Sequence, residues 1–192
     1  MIARRIVQPL LQRPGFWLGG LAGAAVMWAA LELPYVNWRR AVPPVDERPV
    51  SIRHDARGSG TYQAPRSGNR RHRGVDLAGA LGGPIRAVRS GTVIQVGAHR
   101  GLGHLVELEH VGGLTSLYAH LGTVQVRLGQ RVRQGEIIGT VGKTGNARHP
   151  AIAPHVHLEM ARRGQLIDPT PYVLDHAAVI GQEQDPDDVG RD

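Results

Sequence analysis

The stretch His155-Val156-His157-Leu158-Glu159-Met160 alternates ionisable side chains with aliphatic ones. Successive side chains of a strand point to opposite faces. His155, His157 and Glu159 therefore share one face, and Val156, Leu158 and Met160 share the other. The aliphatic face suits a core, and the ionisable face suits a cleft. Two histidines at i and i+2 have Cα atoms about 6–7 Å apart. Both can bind one metal ion, or one can bind while the other stands beside it.

Working outward, the same grain of short apolar pieces runs through residues 51–175. Pro84–Val88, Gly91–Val96, His104–Glu109, Leu114–Leu121, Val124–Leu128 and Glu136–Val141 are each followed by turn residues. No stretch keeps a helical period for three turns. The pattern predicts a mainly β fold, a small antiparallel sandwich or barrel-like domain, preceded by one N-terminal apolar helix. The phrase from Gly129 to Gly139, with Val132 and Ile138 between glycines, is typical of tight turns in small β domains.

Two other clusters carry chemistry. In His72-Arg73-Gly74-Val75-Asp76 a straight strand would hold the His and Asp side chains about 13 Å apart. A bend at Gly74 is needed before they can share an ion. Histidine plus carboxylate is good zinc chemistry. In Tyr118-Ala119-His120-Leu121, simple alternation turns Leu117, Ala119 and Leu121 inward and puts Tyr118 and His120 together on the opposite face.

Composition narrows the class. The chain has 192 residues, 41% hydrophobic and 20% charged, which excludes a disordered tail, a collagen and a polytopic membrane protein. It has no cysteine, so disulfide scaffolds, cysteine-ligated zinc and cysteine catalysis are excluded. The formal charge is +7, and the surplus sits in the middle of the chain, between a basic start and an acidic end. A basic domain suits a polyanionic partner. Only Tyr62, Tyr118 and Tyr172 lie in that domain, so a base-stacking platform is not expected, and neither is a nucleic-acid partner.

Residues 1–36 read as a cytoplasmic stub and a membrane anchor, or as an uncleaved signal. Arg4, Arg5 and Arg13 precede an uncharged run from Phe16 to Leu31, and aromatic residues cluster at both its ends. No good cleavage site for small residues follows the run. Residues 37–50, with Pro43, Pro44 and Pro49, read as a stiff linker, and 176–192 as an acidic solvated tail.

Together, Arg71–Asp76, Gly83–Ala87, Ser90–Val93, Tyr118–Leu121, Gly129–Gly139, Val141–Gly145, Pro154–Glu159 and Asp168-Pro169 resemble the lysostaphin-type (LytM-like) zinc metalloendopeptidases of bacterial cell-wall hydrolysis. The resemblance covers about residues 66–172. It implies one Zn2+ held by His72, Asp76 and His157, with His120 and His155 as the catalytic pair beside it. Glu159 and Tyr118 would stand behind these residues as supports. The implied substrate is a peptide cross-link of peptidoglycan, cut by a metal-activated water. The implied setting is the bacterial cell envelope, with the domain on the periplasmic or outer side of an anchoring membrane, or secreted if the N-terminal segment is cleaved. A regulatory protein partner is compatible with this reading. The family also includes non-catalytic wall-binding and amidase-activating modules. Those lose ligands, whereas this chain keeps all five residues. It departs from the usual pattern in a longer link, Asn146–Ala153, in Ala153 before Pro154, and in His104 after Gly103.

Overall fold

The structure is a computed structural model and describes residues 15–37 and 41–174. The chain divides into two compact units, Met1–Pro34 and Tyr35–Asp192. The N-terminal stub, Trp38 to Arg40 and the acidic tail lie outside the described residues.

In the first unit the apolar run forms the helix α1, Gly15–Glu32. Its 18 residues span about 27 Å at 1.5 Å each, short of a hydrocarbon core of about 30 Å. No described helix is long and apolar enough to cross a membrane, so the expected transmembrane anchor is not supported. Tyr35, expected as an interfacial aromatic, opens the second unit instead. Its ring lies 3.9 Å under the Arg131 guanidinium.

The second unit is built from strands β1 (His54–Asp55), β2 (Gly58–Ser59), β3 (Pro65–Arg66), β4 (Arg70–Arg71), β5 (Val75–Ala78), β6 (Pro84–Arg86), β7 (Gly91–His99), β8 (Gly103–His110), β9 (Leu114–Val124), β10 (Arg131–Val132), β11 (Ile137–Val141), β12 (His155–Arg162) and β13 (Gln165–Ile167), followed by the short helix α2 (Thr170–Val173). The strands pair antiparallel throughout. β1–β2 and β3–β4 are small hairpins, and the rest form one sheet in the order β10-β7-β8-β9-β11-β6, with β12 pairing β9, β5 and β13. The sheet does not close into a barrel. Of the expected piece Val124–Leu128, only Val124 is strand, as the end of β9.

Residues 41–50, read as a linker from their prolines, lie against the domain. Val45 and Val50 are buried in the core, the Val42 amide donates to the Val88 carbonyl, and Asp46 pairs with Arg86 through both oxygens. Proline fixes an extended backbone, but the valines beside it decide whether that backbone stays in solvent.

The alternation in β12 fits the packing. Val156, Leu158 and Met160 are fully buried among Val75, Leu77, Leu108 and Leu121. β9 then divides the sheet. Its first half, through Ala119, pairs with β12, and its second half, from Leu121, pairs with β11. The fork falls at His120, whose φ is +63°. That left-handed backbone breaks the alternation expected for Tyr118–Leu121. Tyr118 faces the core, fully buried, where its hydroxyl accepts from the Val88 amide at 2.8 Å and lies 3.0 Å from Ser116 Oγ. Tyr118 is therefore a core residue and does not support the cleft. His120 turns away from it.

The bend required between His72 and Asp76 falls at Gly74. A Cβ there would come within 2.1 Å of the Leu158 carbonyl oxygen, so β12 can lie this close only against glycine. Gly74→Ala is expected to destabilise the metal-free protein by about 3 kcal/mol, read as a lower urea midpoint with an unchanged slope. An unshifted midpoint would show that the backbone relaxes without cost.

Candidate metal centre

Strand register brings distant residues together. Asp76 on β5 is the direct cross-strand partner of His157 on β12, and Ala119 beside His120 is the partner of His157 on β9. His72 enters from the segment before the Gly74 bend. Asp76 Oδ1 lies 3.0 Å from His72 Nε2 and 2.8 Å from His157 Nδ1, and the two ring nitrogens are 3.0 Å apart. All three residues are buried. Among the described residues, His72, Asp76 and His157 are the group whose donor atoms could hold a metal ion.

The outer atoms of these residues fix the inner ones. His72 Nδ1 lies 2.8 Å from the Thr61 carbonyl. A carbonyl only accepts, so Nδ1 carries the proton and Nε2 keeps a lone pair. His157 Nε2 lies 3.2 Å from Glu159 Oε1, which places the proton on Nε2 and the lone pair on Nδ1. Glu159 is held by Arg73 at 3.3 Å. Asp76 turns its other oxygen to Arg53 at 2.8 Å. Three acceptor atoms thus converge at about hydrogen-bond distance with no donor of their own, and such a cluster needs a cation between its members. Two imidazole nitrogens and one carboxylate oxygen are a zinc donor set, so the residues present fit that ion.

The titration behaviour follows from this crowding. Burial alone would push the His157 pKa down, but the Asp76 and Glu159 carboxylates outweigh it and raise it to about 9. Burial would raise the Asp76 pKa, but its bonds to His157 and His72 hold it far below the usual carboxylate range. Without metal, a proton on His157 takes the cation's place.

His120 and His155 stand at the rim of the same cluster. Their ring centroids are 5.0 Å apart, and His120 is 5.9 Å from His157. Each gives its Nδ1 to a carbonyl, Thr144 for His120 at 2.9 Å and Ala153 for His155 at 2.7 Å. Each therefore keeps a lone pair on Nε2. Burial, then the nearby His155 and His157, lower the His120 pKa to about 3. Burial also lowers that of His155, against the pull of Asp76. Both are neutral at neutral pH.

The cluster lies in a groove of about 1090 Å³. Its lining includes Arg57, Arg66, Arg70 and Arg71, together with Leu102, Leu117, Ala147, His149 and Ile152. Asn146, Ala147, His149 and Ile152 of the long link belong to that lining. His104, the third departure from the family pattern, is exposed and lies outside the groove lining.

Sequence reasoning missed Arg53, which is buried and salt-bridged to both Asp55 and Asp76. Asp55 in turn accepts from the Ala153 amide, whose carbonyl holds His155. It also missed the Thr61 and Thr144 carbonyls. Nothing in the sequence marks a backbone oxygen, or one arginine among so many. The proximity of Glu159 to His157 was legible from the i, i+2 spacing. Glu159→Ala is expected to weaken zinc binding about 10–100-fold, measured by chelator competition. Glu159→Gln, which keeps an acceptor for Nε2–H, is expected to recover part of the loss.

The sequence profile of Peptidase family M23 matches residues 70–169. A DD-carboxypeptidase/endopeptidase, Mpg, of Neisseria meningitidis is 36% identical over 126 residues, covering 62% of this chain and 28% of its own. A murein hydrolase activator, NlpD, of Escherichia coli is 35% identical over 114 residues, covering 59% and 28%. The chain thus spans less than a third of the length of these relatives. A zinc-containing peptidase from Vibrio cholerae superposes with a TM-score of 0.56 at 29% identity, over 69% of this chain and 39% of that one. The catalytic domain of lysostaphin from Staphylococcus simulans superposes with a TM-score of 0.52 at 29% identity, over 64% and 91%.

Proposed function

The chain belongs to peptidase family M23, and from that premise we propose that it is a zinc-dependent endopeptidase that hydrolyses peptide cross-links of peptidoglycan in the bacterial cell envelope. One observation carries the reading. Three metal donors and two neutral histidines with free Nε2 lone pairs meet in one groove.

His72, Asp76 and His157 would hold the ion through Nε2, Oδ1 and Nδ1. Bound there, a divalent zinc would supply a Lewis acid and a water whose pKa falls toward about 7. Arg53 keeps the second oxygen of Asp76 occupied and so leaves one oxygen for the site. Glu159 holds the His157 ring in the tautomer the site requires. One histidine of the His120–His155 pair takes the water's proton on Nε2 and returns it to the leaving amine. The other, likewise neutral with its Nδ1–H held by a carbonyl, accepts the second hydrogen of that water on Nε2 and so orients it. Their Nδ1 bonds to fixed carbonyls hold both rings in place for this. Stem peptides carry free carboxylates, which suits the basic character of the domain.

The test is incubation of the zinc-loaded chain with intact sacculi. Loss of cross-linked muropeptides is expected, and unchanged cross-linking would count against the reading. The similarity to NlpD favours a second reading, a murein hydrolase activator with a protein partner. An activator would work equally well with the site abolished.

Zinc binding should release a proton. Metal-free His157 has its pKa raised to about 9 from 6.5, so its ion pair with Asp76 stabilises the apo fold fully below pH 6.5 and is lost as pH rises through 9. At pH 7 the ion must displace that proton. Calorimetry in buffers of different ionisation enthalpy is expected to show more than one proton released per zinc at pH 7, one from His157 and part of one from the bound water, with the His157 share lost above pH 9. Apo stability should decline across the same window. No proton release at pH 7 would contradict the assignment of the inner nitrogen.

A further inference from the structure

We propose that Asp55, on the β1–β2 hairpin and outside the metal cluster, is a positioning residue for the hydrolysis: it holds the backbone that orients His155. The inference rests on the hydrolase reading above and names a part that reading does not include.

The two rim histidines hang from carbonyls of different kinds. His120 Nδ1 donates to the Thr144 carbonyl. Thr144 is itself tied to two strands, its Oγ1 donating to the Leu121 carbonyl at 2.9 Å and accepting from the His104 amide at 3.0 Å. His155 Nδ1 donates to the Ala153 carbonyl at 2.7 Å, and Ala153 is an exposed residue at the end of the long link. Just ahead of it the link is bonded to itself, the Ile152 amide to the His149 carbonyl and the Ala151 amide to His149 Nδ1. The Ala153 amide donates to Asp55 Oδ2 at 3.0 Å. A side chain 98 residues away thus fixes the residue whose carbonyl fixes the ring.

Asp55 is in turn held rigidly. Its Oδ1 accepts from the Arg57 amide at 2.8 Å, and Arg53 Nη1 sits on Oδ2. The Arg53 side chain is buried, and its Nη2 donates to Asp76 Oδ2 at 2.8 Å. One guanidinium therefore ties the acid that steadies His155 to the acid that offers a donor to the metal. Burial alone would raise the Asp55 pKa, but Arg53 and the Ala153 and Arg57 amides lower it to about 2, so the carboxylate is ionised at neutral pH. The result is a set distance: His155 Nε2 stands 3.8 Å from Asp76 Oδ1. A displacement of about 1 Å at a group that moves a proton can cost about 10²-fold in rate. Asp55 touches neither the His155 ring nor the metal donors' inner atoms, so its effect passes through Ala153 and Arg53.

The experiment measures cleavage of a purified cross-linked muropeptide dimer by the zinc-loaded full chain. Asp55→Ala is expected to lower kcat about 10–100-fold with KM and bound zinc unchanged. Asp55→Asn, which keeps an acceptor for the Ala153 amide but gives up the charge that grips Arg53, is expected to recover part of the loss. Asp46→Ala removes an acid paired to Arg86, outside the groove lining, and is expected to keep the wild-type kcat. Asp55→Ala combined with His155→Ala should be no slower than His155→Ala alone, because Asp55 acts through that ring. Independently of activity, long-range ¹H–¹⁵N spectra should show His155 as a single Nδ1–H tautomer in the wild type and as a tautomer mixture in Asp55→Ala. If Asp55→Ala does not fold, Asp55→Asn decides by the same readouts, with a kcat below wild type expected. Wild-type kcat in the variant that folds, an unaltered His155 tautomer, or a further loss in the double variant would sink the positioning role and leave the hydrolase reading standing. No cleavage by the wild type would remove the hydrolase reading, and this inference with it.

Discussion

His157→Ala is expected to lose its zinc and its hydrolytic activity together. His157 sits at the centre of the cluster, with Asp76 and His72 on one side and Glu159 on the other. Removing its imidazole leaves one nitrogen and one oxygen, one fewer than the three protein ligands of a catalytic zinc site. Bound metal should fall from about one ion per chain to near zero after dialysis. Cleavage of sacculi should fall roughly 10⁴-fold, the cost of several kcal/mol of lost electrostatic stabilisation. His72→Ala should do the same. The double variant should be no worse than either single one, because the donors act as a unit. Circular dichroism of the variants separates loss of the site from loss of the fold. A variant that keeps full activity with no metal would refute the proposed chemistry.

The second large effect separates metal binding from proton transfer. His120→Ala and His155→Ala remove no donor of the triad, so each should bind zinc at the wild-type stoichiometry. Turnover should nonetheless fall by about 10²–10⁴-fold, the usual contribution of a positioned acid or base. The two variants make a sharp pair with the first set, inactive with metal against inactive without it. They also discriminate between the readings. An activator of another hydrolase should retain its activating effect in all four variants. If His120→Ala and His155→Ala hydrolyse cross-links at the wild-type rate, the rim histidines have no catalytic part.

The sequence made the fold class legible because β12 writes its burial pattern in single-residue alternation. Val156, Leu158 and Met160 are wholly buried, as their spacing requires. The same rule misplaced Tyr118. Alternation assumes an unbroken strand, and the backbone of β9 reverses its hand at His120. A positive φ at a histidine has no sequence signature comparable to that of glycine. The linker reading of 37–50 did not foresee the packing of residues 41–50, for a related reason. Prolines announce extended backbone, but burial of Val45 depends on where the sheet lies. The α1 helix was legible from its run of apolar residues, whereas its reach was not, because Glu32 and the residues after it decide the usable length.

The candidate site was legible in its side chains and not in its supports. His72, Asp76, His120, His155 and His157 come from three stretches, and each stretch carried its own motif. Their convergence needs Asp76 opposite His157 in the β5–β12 register, a long-range pairing that local pattern cannot state. The supports are mostly backbone carbonyls, at Thr61, Thr144 and Ala153, and any residue type can present one. Arg53 escaped because its role depends on the strap before β1 folding over Asp76.

The most direct test of the account is an anomalous difference map, measured at the zinc absorption edge, from a crystal of the zinc-loaded chain. The account predicts a single peak about 2.0–2.2 Å from His72 Nε2, Asp76 Oδ1 and His157 Nδ1, with His120 and His155 beside it and not bonded to it. A peak held by other residues, or none at these three under saturating zinc, would contradict it.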